Sequence, residues 1–269
     1  MPDPAKLTDV FDELPLWSAP FGLKLLEHVE YKPNITAVDI GFGSGFPLTE
    51  LAMRLGETSI VYGIDPWKEM FSRVNKKIQS YGITNTRIIE GVAESIPLEN
   101  ASVDLITSNN GLNNVSDIDR ALSECSRICK PGGQFIQTMN TGQSMMEFYQ
   151  PFEKVLSGMG LQSEIEEMRR HITRKRPPVD GMIARIRNNG FLIRDVVHDR
   201  FSYRFADGTA MFCHYFIRLA FMDSWIKLVP PEKAEEIFGA VEIRLNEQAR
   251  LSGGIKLTIP FVLINAYKR

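Results

Sequence analysis

Two acidic residues, each near the end of a short apolar run, lie on either side of a glycine-rich turn and have the chemistry to hold a ligand. Asp39 lies in the first run and is followed by glycines at positions 41, 43 and 45. Asp65 closes the second run, twenty positions after the last of these glycines. A turn without Cβ atoms lets the backbone approach a ligand closely, and a carboxylate at this distance can accept hydrogen bonds from both hydroxyls of a ribose. The pattern therefore predicts a nucleoside-binding site.

The spacing of the glycines indicates which kind of nucleoside ligand the turn can bind. A dinucleotide fingerprint has a third glycine at its sixth position, which lets a pyrophosphate rest on a helix N-terminus. That position is Phe46 in this chain, and the pattern is instead Asp-x-Gly-x-Gly-x-Gly. A nicotinamide-dependent oxidoreductase is therefore disfavoured, although it stays open as an alternative.

This glycine pattern resembles the first motif of the class I S-adenosylmethionine (SAM) methyltransferases. Further matches to that family follow in the required order, at 91–98 after the third strand, at 103–109 in the fourth strand and at 130–136 in the turn into the fifth. Four ordered matches are far more specific than any one of them alone. The branch resembled is the small-molecule type (methyltransferase type 11), which includes quinone-biosynthesis and arsenite methyltransferases.

The resemblance implies SAM as the cofactor, with S-adenosylhomocysteine (SAH) as its product. By that resemblance Asp39 would lie near the methionyl ammonium, directly or through water, and Asp65 would hold the ribose. The cofactor-binding residues implied are Asp39, Gly41, Phe42, Gly43, Gly45, Asp65, Pro66, Trp67, Met70, Val92, Ala93, Glu94 and Asn109. For Met70, packing of a helix against the sheet is an equal alternative.

One residue departs from the family pattern. Val92 stands where relatives usually carry an acid that accepts a hydrogen bond from the adenine amino group. Valine cannot accept that bond, so we expect backbone groups around Val92 and Ala93 to bind the adenine. Glu94 is a side-chain candidate for the same contact.

The fold expected is α/β. Strand and helix signals alternate five times over residues 35–140, which predicts a parallel sheet with right-handed crossovers and a ligand at the carboxyl ends of its strands. The resemblance extends this to a Rossmann-like doubly wound sheet of seven mostly parallel strands, with helical cap insertions after strands 5 and 6. The predicted parts are a helical segment 1–34 over the cofactor site, a SAM-binding core 35–140, cap and substrate insertions 141–254 that include strand 6, and a final strand in 255–269.

Several local features of these elements are also predicted. Ser116 is a plausible N-cap for the helix between strands 4 and 5. Strand 6 is expected at 191–197, and the segment 211–225 is expected to be an unusually aromatic helix. A helix should begin at Pro231 and end at Gly253-Gly254.

Methyl transfer from SAM places few demands on catalytic side chains. The sulfonium methyl is already electrophilic, so catalysis needs an acceptor held in line at roughly 3 Å with water excluded. A base is required only when the acceptor keeps its proton at neutral pH. The catalytic residues therefore stay undefined, and the candidates are Asn109, Asn113, His214 and Tyr149. The tip of strand 4 lacks the Asn-Pro-Pro-Tyr signature of amide and exocyclic-amine methylators.

Three features of the chain leave alternatives open. The basic residues between positions 169 and 176 form either a solvated face or a clamp for an anionic substrate. The aromatic segment 211–225 is core, a dimer helix or the lining of a hydrophobic substrate pocket. The three cysteines lack the spacing of a zinc site or a disulfide framework, so we expect no metal and ordinary packing roles.

Charge and composition restrict the partners. Thirty-one Lys and Arg residues against thirty-three Asp and Glu leave a net charge of −2, which gives no general attraction for nucleic acid. No apolar run is long enough to span a membrane, and no signal peptide is evident. We therefore expect a cytoplasmic enzyme acting on a small-molecule methyl acceptor, and a homodimer through the cap helices is possible. A non-catalytic SAM-binding regulatory protein and a nucleic-acid methylator are the remaining alternatives.

Overall fold

A computed structural model describes residues 15–269 of the chain. The part of the predicted segment 1–34 that precedes Pro15 lies outside the described residues. Two compact units make up the described chain: a first unit of residues 15–140, 178–199 and 261–269, and a second unit of residues 141–177 and 200–260.

Seven strands form one sheet with the order β3-β2-β1-β4-β5-β7-β6. The strands are β1 (Thr36–Ile40), β2 (Ile60–Asp65), β3 (Thr86–Glu90), β4 (Val103–Asn109), β5 (Cys129–Asn140), β6 (Phe191–Phe205) and β7 (Ile255–Lys268). Strands β1 to β5 pair in parallel, and β7 runs antiparallel to β5. This is the predicted doubly wound, mostly parallel sheet, and the order reverses between β1 and β4, where such sheets bind ligands.

Helices of the first unit cover both faces of this sheet. They are α1 (Pro15–His28), α2 (Leu48–Leu55), α3 (Phe71–Ser80), α4 (Ile118–Ile128) and α7 (Val179–Asn188). On one face, buried apolar side chains of α4 and α7 pack on β1, β4, β5 and β7. On the other face, those of α1, α2 and α3 pack on the same central strands. The central strands are buried on both sides, which explains their near-continuous apolar sequence.

The second unit is mainly helical. It contains α5 (Met146–Gly158), α6 (Gln162–Lys175), α8 (Gly208–Cys213), the short turns α9 (Tyr215–Ile217) and α10 (Asp223–Ile226), and α11 (Ala234–Ser252). Its interior is aromatic: the Trp225 ring stacks on Phe148 with 3.8 Å between ring centroids, and its indole N–H donates to the Tyr149 hydroxyl at 3.1 Å. Helices therefore follow both β5 and β6, as the fold class predicted.

Two local predictions about this helical part are settled by backbone geometry. The aromatic segment is not one helix, because His214 is extended and a π-helical turn spans Arg218–Met222. The predicted start and stop of α11 are confirmed. A single 3₁₀ turn from Pro231 precedes it, and Gly253 ends it in the left-handed conformation at φ 75°.

The predicted cap of α4 is wrong by one residue. Asp117, not Ser116, is the N-cap, and its carboxylate accepts hydrogen bonds from the backbone amides of Asp119 and Arg120. Strand 6 is longer than expected, because β6 continues from Phe191 to Phe205. Cys125 and Cys129 are buried where α4 runs into β5, and Cys213 is exposed. None of the described helices combines the length and apolar character that a membrane span requires.

Candidate functional site

The glycine-rich turn brings the loops after β1 and β4 into backbone contact. Gly41 has a φ of 77°, and a Cβ on it would lie 2.6 Å from the Cα of Gly111, so both its conformation and its space exclude a side chain. Its amide donates to the carbonyl of Ile64 at 2.8 Å, which joins the turn to β2. The carboxyl ends of three strands are thereby held around one opening.

Asp65 closes β2 and fixes the same turn from the other side. One carboxylate oxygen accepts the amide of Gly43 and the other accepts the amide of Trp67, both at 2.8 Å. An ionised carboxylate has about four lone-pair positions, so two remain for ribose hydroxyls. Asp65 therefore stabilises the turn through these two hydrogen bonds and also faces the cleft.

Asp39 is fully buried one strand away. Its Oδ1 accepts a hydrogen bond from the Thr107 hydroxyl at 2.7 Å, while Oδ2 is buried without a hydrogen-bond partner. Burial raises the pKa of Asp39 to about 7; hydrogen bonds from the Thr107 hydroxyl and from the backbone of Leu48 oppose this rise, and the charge of Asp65 adds to it. A buried carboxylate oxygen with acceptor capacity left is suited to a donor from a water or a ligand, and an ammonium group would satisfy it.

The segment after β3 supplies another wall of the opening. Val92 is 44% exposed there and Ala93 is buried. The carboxylate of Glu94 accepts the amides of Ser116 at 2.7 Å and Asp117 at 3.1 Å. Glu94 therefore anchors the start of α4 through Oε1, a role that the sequence did not indicate.

The tip of β4 is held by a network of amide side chains. Asn109 accepts the Thr138 hydroxyl at 2.8 Å and donates to the carbonyl of Ser18 in α1 at 3.1 Å. Asn113 donates to Asn110 at 2.9 Å. Both predicted candidates, Asn109 and Asn113, thus make framework contacts.

These segments enclose one cleft of about 590 Å³ within the first unit. It is lined by Trp17, Ser18, Phe46 and the segments 40–44, 64–67, 91–94, 109–111 and 114–116. The predicted residues Gly41, Phe42, Gly43, Asp65, Pro66, Trp67, Val92, Ala93, Glu94 and Asn109 all lie in this wall. Among residues 15–269, no His, Tyr, Lys or Cys side chain lines this wall.

The remaining predicted residues lie elsewhere. Asp39, Gly45, Met70 and Asn113 do not line the cleft, and Asp39 and Met70 are fully buried. Tyr149 and His214 belong to the second unit. Tyr149 is buried against Trp225, and the His214 ring is exposed with its centroid 5.3 Å from that of Phe205.

Sequence reasoning missed several residues of the wall. Trp17 and Ser18 reach it from α1, and Phe46 reaches it from the glycine turn. Phe46 packs so closely on α1 that a Cβ on Gly22 would lie 2.2 Å from its ring. The sequence signal for this contact was Phe46 itself. A large side chain at the position that is glycine in a dinucleotide site needs space, which a facing element must provide. In the described part of the chain, no group of three or more His, Cys, Asp or Glu residues could hold a metal ion.

Comparison with known proteins agrees with this geometry. Residues 38–137 match the family model described as a methyltransferase domain. Demethylmenaquinone methyltransferase of Bacillus mycoides (strain KBAB4) is 31% identical over 124 residues, which are 46% of this chain and 52% of that protein. The chain therefore spans about half the length of the curated relatives it matches.

Solved structures share the fold over most of the chain. The YcgJ protein from Bacillus subtilis has a TM-score of 0.60 at 20% identity, covering 93% of this chain and 98% of that one. Geranyl diphosphate C-methyltransferase from Streptomyces coelicolor A3(2), solved with Mg²⁺, geranyl diphosphate and SAH, has a TM-score of 0.56 at 18% identity, covering 93% and 78%.

The sheet order, the glycine turn and the acid at the end of β2 define a Rossmann-like fold with a nucleoside cleft. Residues 38–137 match the methyltransferase-domain model, so this part of the chain is similar to the class I SAM-dependent methyltransferases in both sequence and sheet order. SAM is the cofactor of that class, as the resemblance implied.

Proposed function

We propose that the protein transfers a methyl group from SAM to a small-molecule acceptor. The observation that carries the proposal is the cleft that the glycine turn, Asp65, segment 91–94 and the tip of β4 enclose together in one unit. Its volume of about 590 Å³ lies in the range of small-molecule and cofactor sites.

The residues present fit SAM at each end. Asp65 retains two acceptor positions for the ribose hydroxyls, and Trp67 lies beside it in the wall. Gly43 has no neighbour within 4 Å of where a Cβ would be, so a methionyl group has room to rest on the turn. Asp39 does not itself line the cleft, and its Oδ2, which accepts no side-chain hydrogen bond, would reach the ammonium through water.

A small-molecule acceptor is supported by the relatives and by charge. The matched relatives are named for a quinone precursor, and one structural neighbour is named for geranyl diphosphate. The net charge of −2 gives no general attraction for nucleic acid. We therefore place the protein in the small-molecule branch.

We propose that the protein catalyses methyl transfer by positioning the methyl donor and the acceptor. SAM supplies an electrophilic methyl group on a sulfonium, and the chain orients it and excludes water around it. Asp65 and Glu94, the acids of the wall, already bind backbone amides. No other described residue of the wall has a side chain suited to take a proton at neutral pH. The first unit is therefore suited to an acceptor that arrives as a nucleophile, such as an enolate or a phenolate.

Binding and transfer are tested together with a variant of Asp65. Asp65→Ala loses the ribose contacts and the Gly43 anchor, so SAH affinity measured by calorimetry should fall by on the order of 2 kcal/mol or more, about thirtyfold. Asp65→Asn should weaken binding less, because it keeps one oxygen acceptor. Transfer from radiolabelled SAM to a panel of phenolic, enolic and isoprenoid acceptors should fall in parallel.

Glu90 provides the matched control. It is an exposed acid at the end of β3, in register with Asp65, and it is not part of the cleft wall. Glu90→Gln should leave SAH affinity unchanged. Equal SAH affinity in Asp65→Ala and in the unmodified protein would overturn the proposed cofactor site, whereas SAH binding with no transfer to any acceptor would favour a non-catalytic SAM-binding protein.

A further inference from the structure

Arg176, just after the end of α6, is buried in a way that its packing does not explain. The residue is only 6% exposed. Its Nη1 donates to the carbonyl of Ser144 at 3.3 Å, and its guanidinium lies 5.5 Å from the centre of the Tyr149 ring. Within residues 15–269 it forms no ion pair with a carboxylate. Burying a guanidinium without a counter-charge costs free energy. A bound anion would supply the missing negative charge.

The other arginines of the basic cluster show the contrast. Arg169 pairs with Glu153 at 2.7 Å, Arg170 pairs with Glu167 at 3.0 Å, and Arg174 lies 3.8 Å from Glu167. Their side chains are all at least 60% exposed. These three arginines form the solvated face that was one of the two alternatives for the basic residues between positions 169 and 176. Of the four arginines, Arg176 alone is buried and without an ion pair.

The segments around Arg176 carry several cations and one acid. Ser144 lies two residues before α5, which begins after Met145 without a side-chain cap and has Glu147 in its first turn. The Glu147 carboxylate is engaged by the amide and the hydroxyl of Thr258. His171 is buried beside the cluster, and its pKa is lowered by burial and by the charges of Arg174, Arg176 and Lys175, with Glu167 opposing. The cations of the cluster therefore outnumber the acids near His171.

We propose that Arg176, the loop 141–145 and the start of α5 form a binding site for a carboxylate or phosphate group. Resting on the proposed function, the natural ligand is a methyl acceptor that carries such an anion. The planar guanidinium suits two parallel hydrogen bonds to one oxyanion.

Thermal unfolding of the full chain with simple anions tests the site. Inorganic phosphate and sodium acetate represent the two oxyanions, and sodium chloride at equal ionic strength is the reference. A ligand that binds only the folded state raises the Tm in a saturable manner, whereas general salt effects do not saturate. The unmodified protein should show a saturable rise with phosphate, with acetate or with both, and the effective anion identifies the chemistry of the acceptor.

Two matched variants separate Arg176 from general charge effects. Arg174→Met removes an exposed cation of the same cluster and should keep the saturable rise. Arg176→Met should lose it, and Arg176→Lys should keep it only at about tenfold higher anion concentration. Without anions, Arg176→Met should unfold at the same temperature as the unmodified protein or higher, because an uncompensated buried charge has been removed. A saturable rise that persists in Arg176→Met would overturn the proposal.

If Arg176→Met does not fold, nuclear magnetic resonance of His171 in the unmodified protein decides the question. A bound oxyanion should raise the pKa of His171, and an unchanged pKa in saturating phosphate and acetate would refute the site. SAH calorimetry on the same samples separates this proposal from the proposed function. Loss of SAH binding would refute the methyltransferase assignment, and SAH binding without oxyanion binding would refute only the anion site.

Discussion

At the scale of residues, two aspartates of the first unit carry the same carboxyl group in different surroundings, and these surroundings give the two groups different binding properties. Asp65 has its carboxylate bound by the amides of Gly43 and Trp67 and faces the cleft. Asp39 is fully buried with one oxygen unpaired, and its pKa is raised to about 7. Asp65 can accept further hydrogen bonds, and the unpaired oxygen of Asp39 can interact with a cation.

The raised pKa of Asp39 predicts a pH-dependent affinity for SAH. Asp39 must be ionised to pair with the ammonium, so affinity should fall by up to about tenfold per unit as the pH decreases below 7. Calorimetry between pH 5 and 7.5, in buffers of different ionisation enthalpy, should register proton release on binding at the acidic end. A constant affinity over this range would count against Asp39 as the partner of the ammonium.

The same pKa predicts the opposite trend for the stability of the ligand-free protein. The pKa of Asp39 in the folded state lies above its usual value of 3.8, so the folded state binds more protons than the unfolded state between these two values. The contribution of Asp39 is therefore fully present below about pH 4 and is lost as the pH rises through 7. Asp39→Asn should gain stability relative to the unmodified protein at pH 8 compared with pH 5, as measured by urea unfolding, while binding SAH more weakly.

At the scale of elements, the cleft depends on how loops and helix ends are anchored to each other. Glu94, after β3, binds the amides at the start of α4, and Asn109, at the tip of β4, binds the carbonyl of Ser18 in α1. Neither contact involves residues close in sequence. Both fix the wall of the cleft before any ligand arrives, which lowers the entropy lost on binding.

The N-terminus of α4 gives a stability test with its control in the neighbouring residue. Asp117→Ala removes the carboxylate that accepts two helix amides and should lower the free energy of unfolding by about 1 kcal/mol. Ser116→Ala should change it little, because the described bonds of Ser116 run through its backbone amide. Chemical denaturation of both variants checks this, and a larger loss in Ser116→Ala would contradict the observed cap.

At the scale of the whole molecule, the chain combines a unit built on the sheet with a largely helical unit drawn from two separate insertions. The proposed cofactor residues are all in the first unit, within residues 15–140. The family model also matches within that unit, over residues 38–137. The second unit holds Tyr149, His214 and Arg176.

Ligand-dependent unfolding of the intact chain discriminates the cofactor classes. SAH at a hundred times its Kd should stabilise the folded protein by about 2.7 kcal/mol, seen as a higher Tm. NADH should have no effect, because Phe46 replaces the third glycine of a dinucleotide site and its ring packs against α1. A rise in Tm with NADH and none with SAH would restore the oxidoreductase alternative.

The sequence by itself determined the order of strands and helices over residues 35–140, the glycine turn and the two aspartates, because these follow from local turn geometry and hydrophobic period. It also identified ten of the 22 described residues of the cleft wall, since the carboxyl ends of parallel strands meet at one edge. Only the tertiary structure placed Trp17, Ser18 and Phe46 in that wall, assigned Glu94 to α4 and separated Arg176 from the exposed arginines beside it. These outcomes depend on contacts between residues far apart in the chain, and neither periodicity nor motif spacing carries that information.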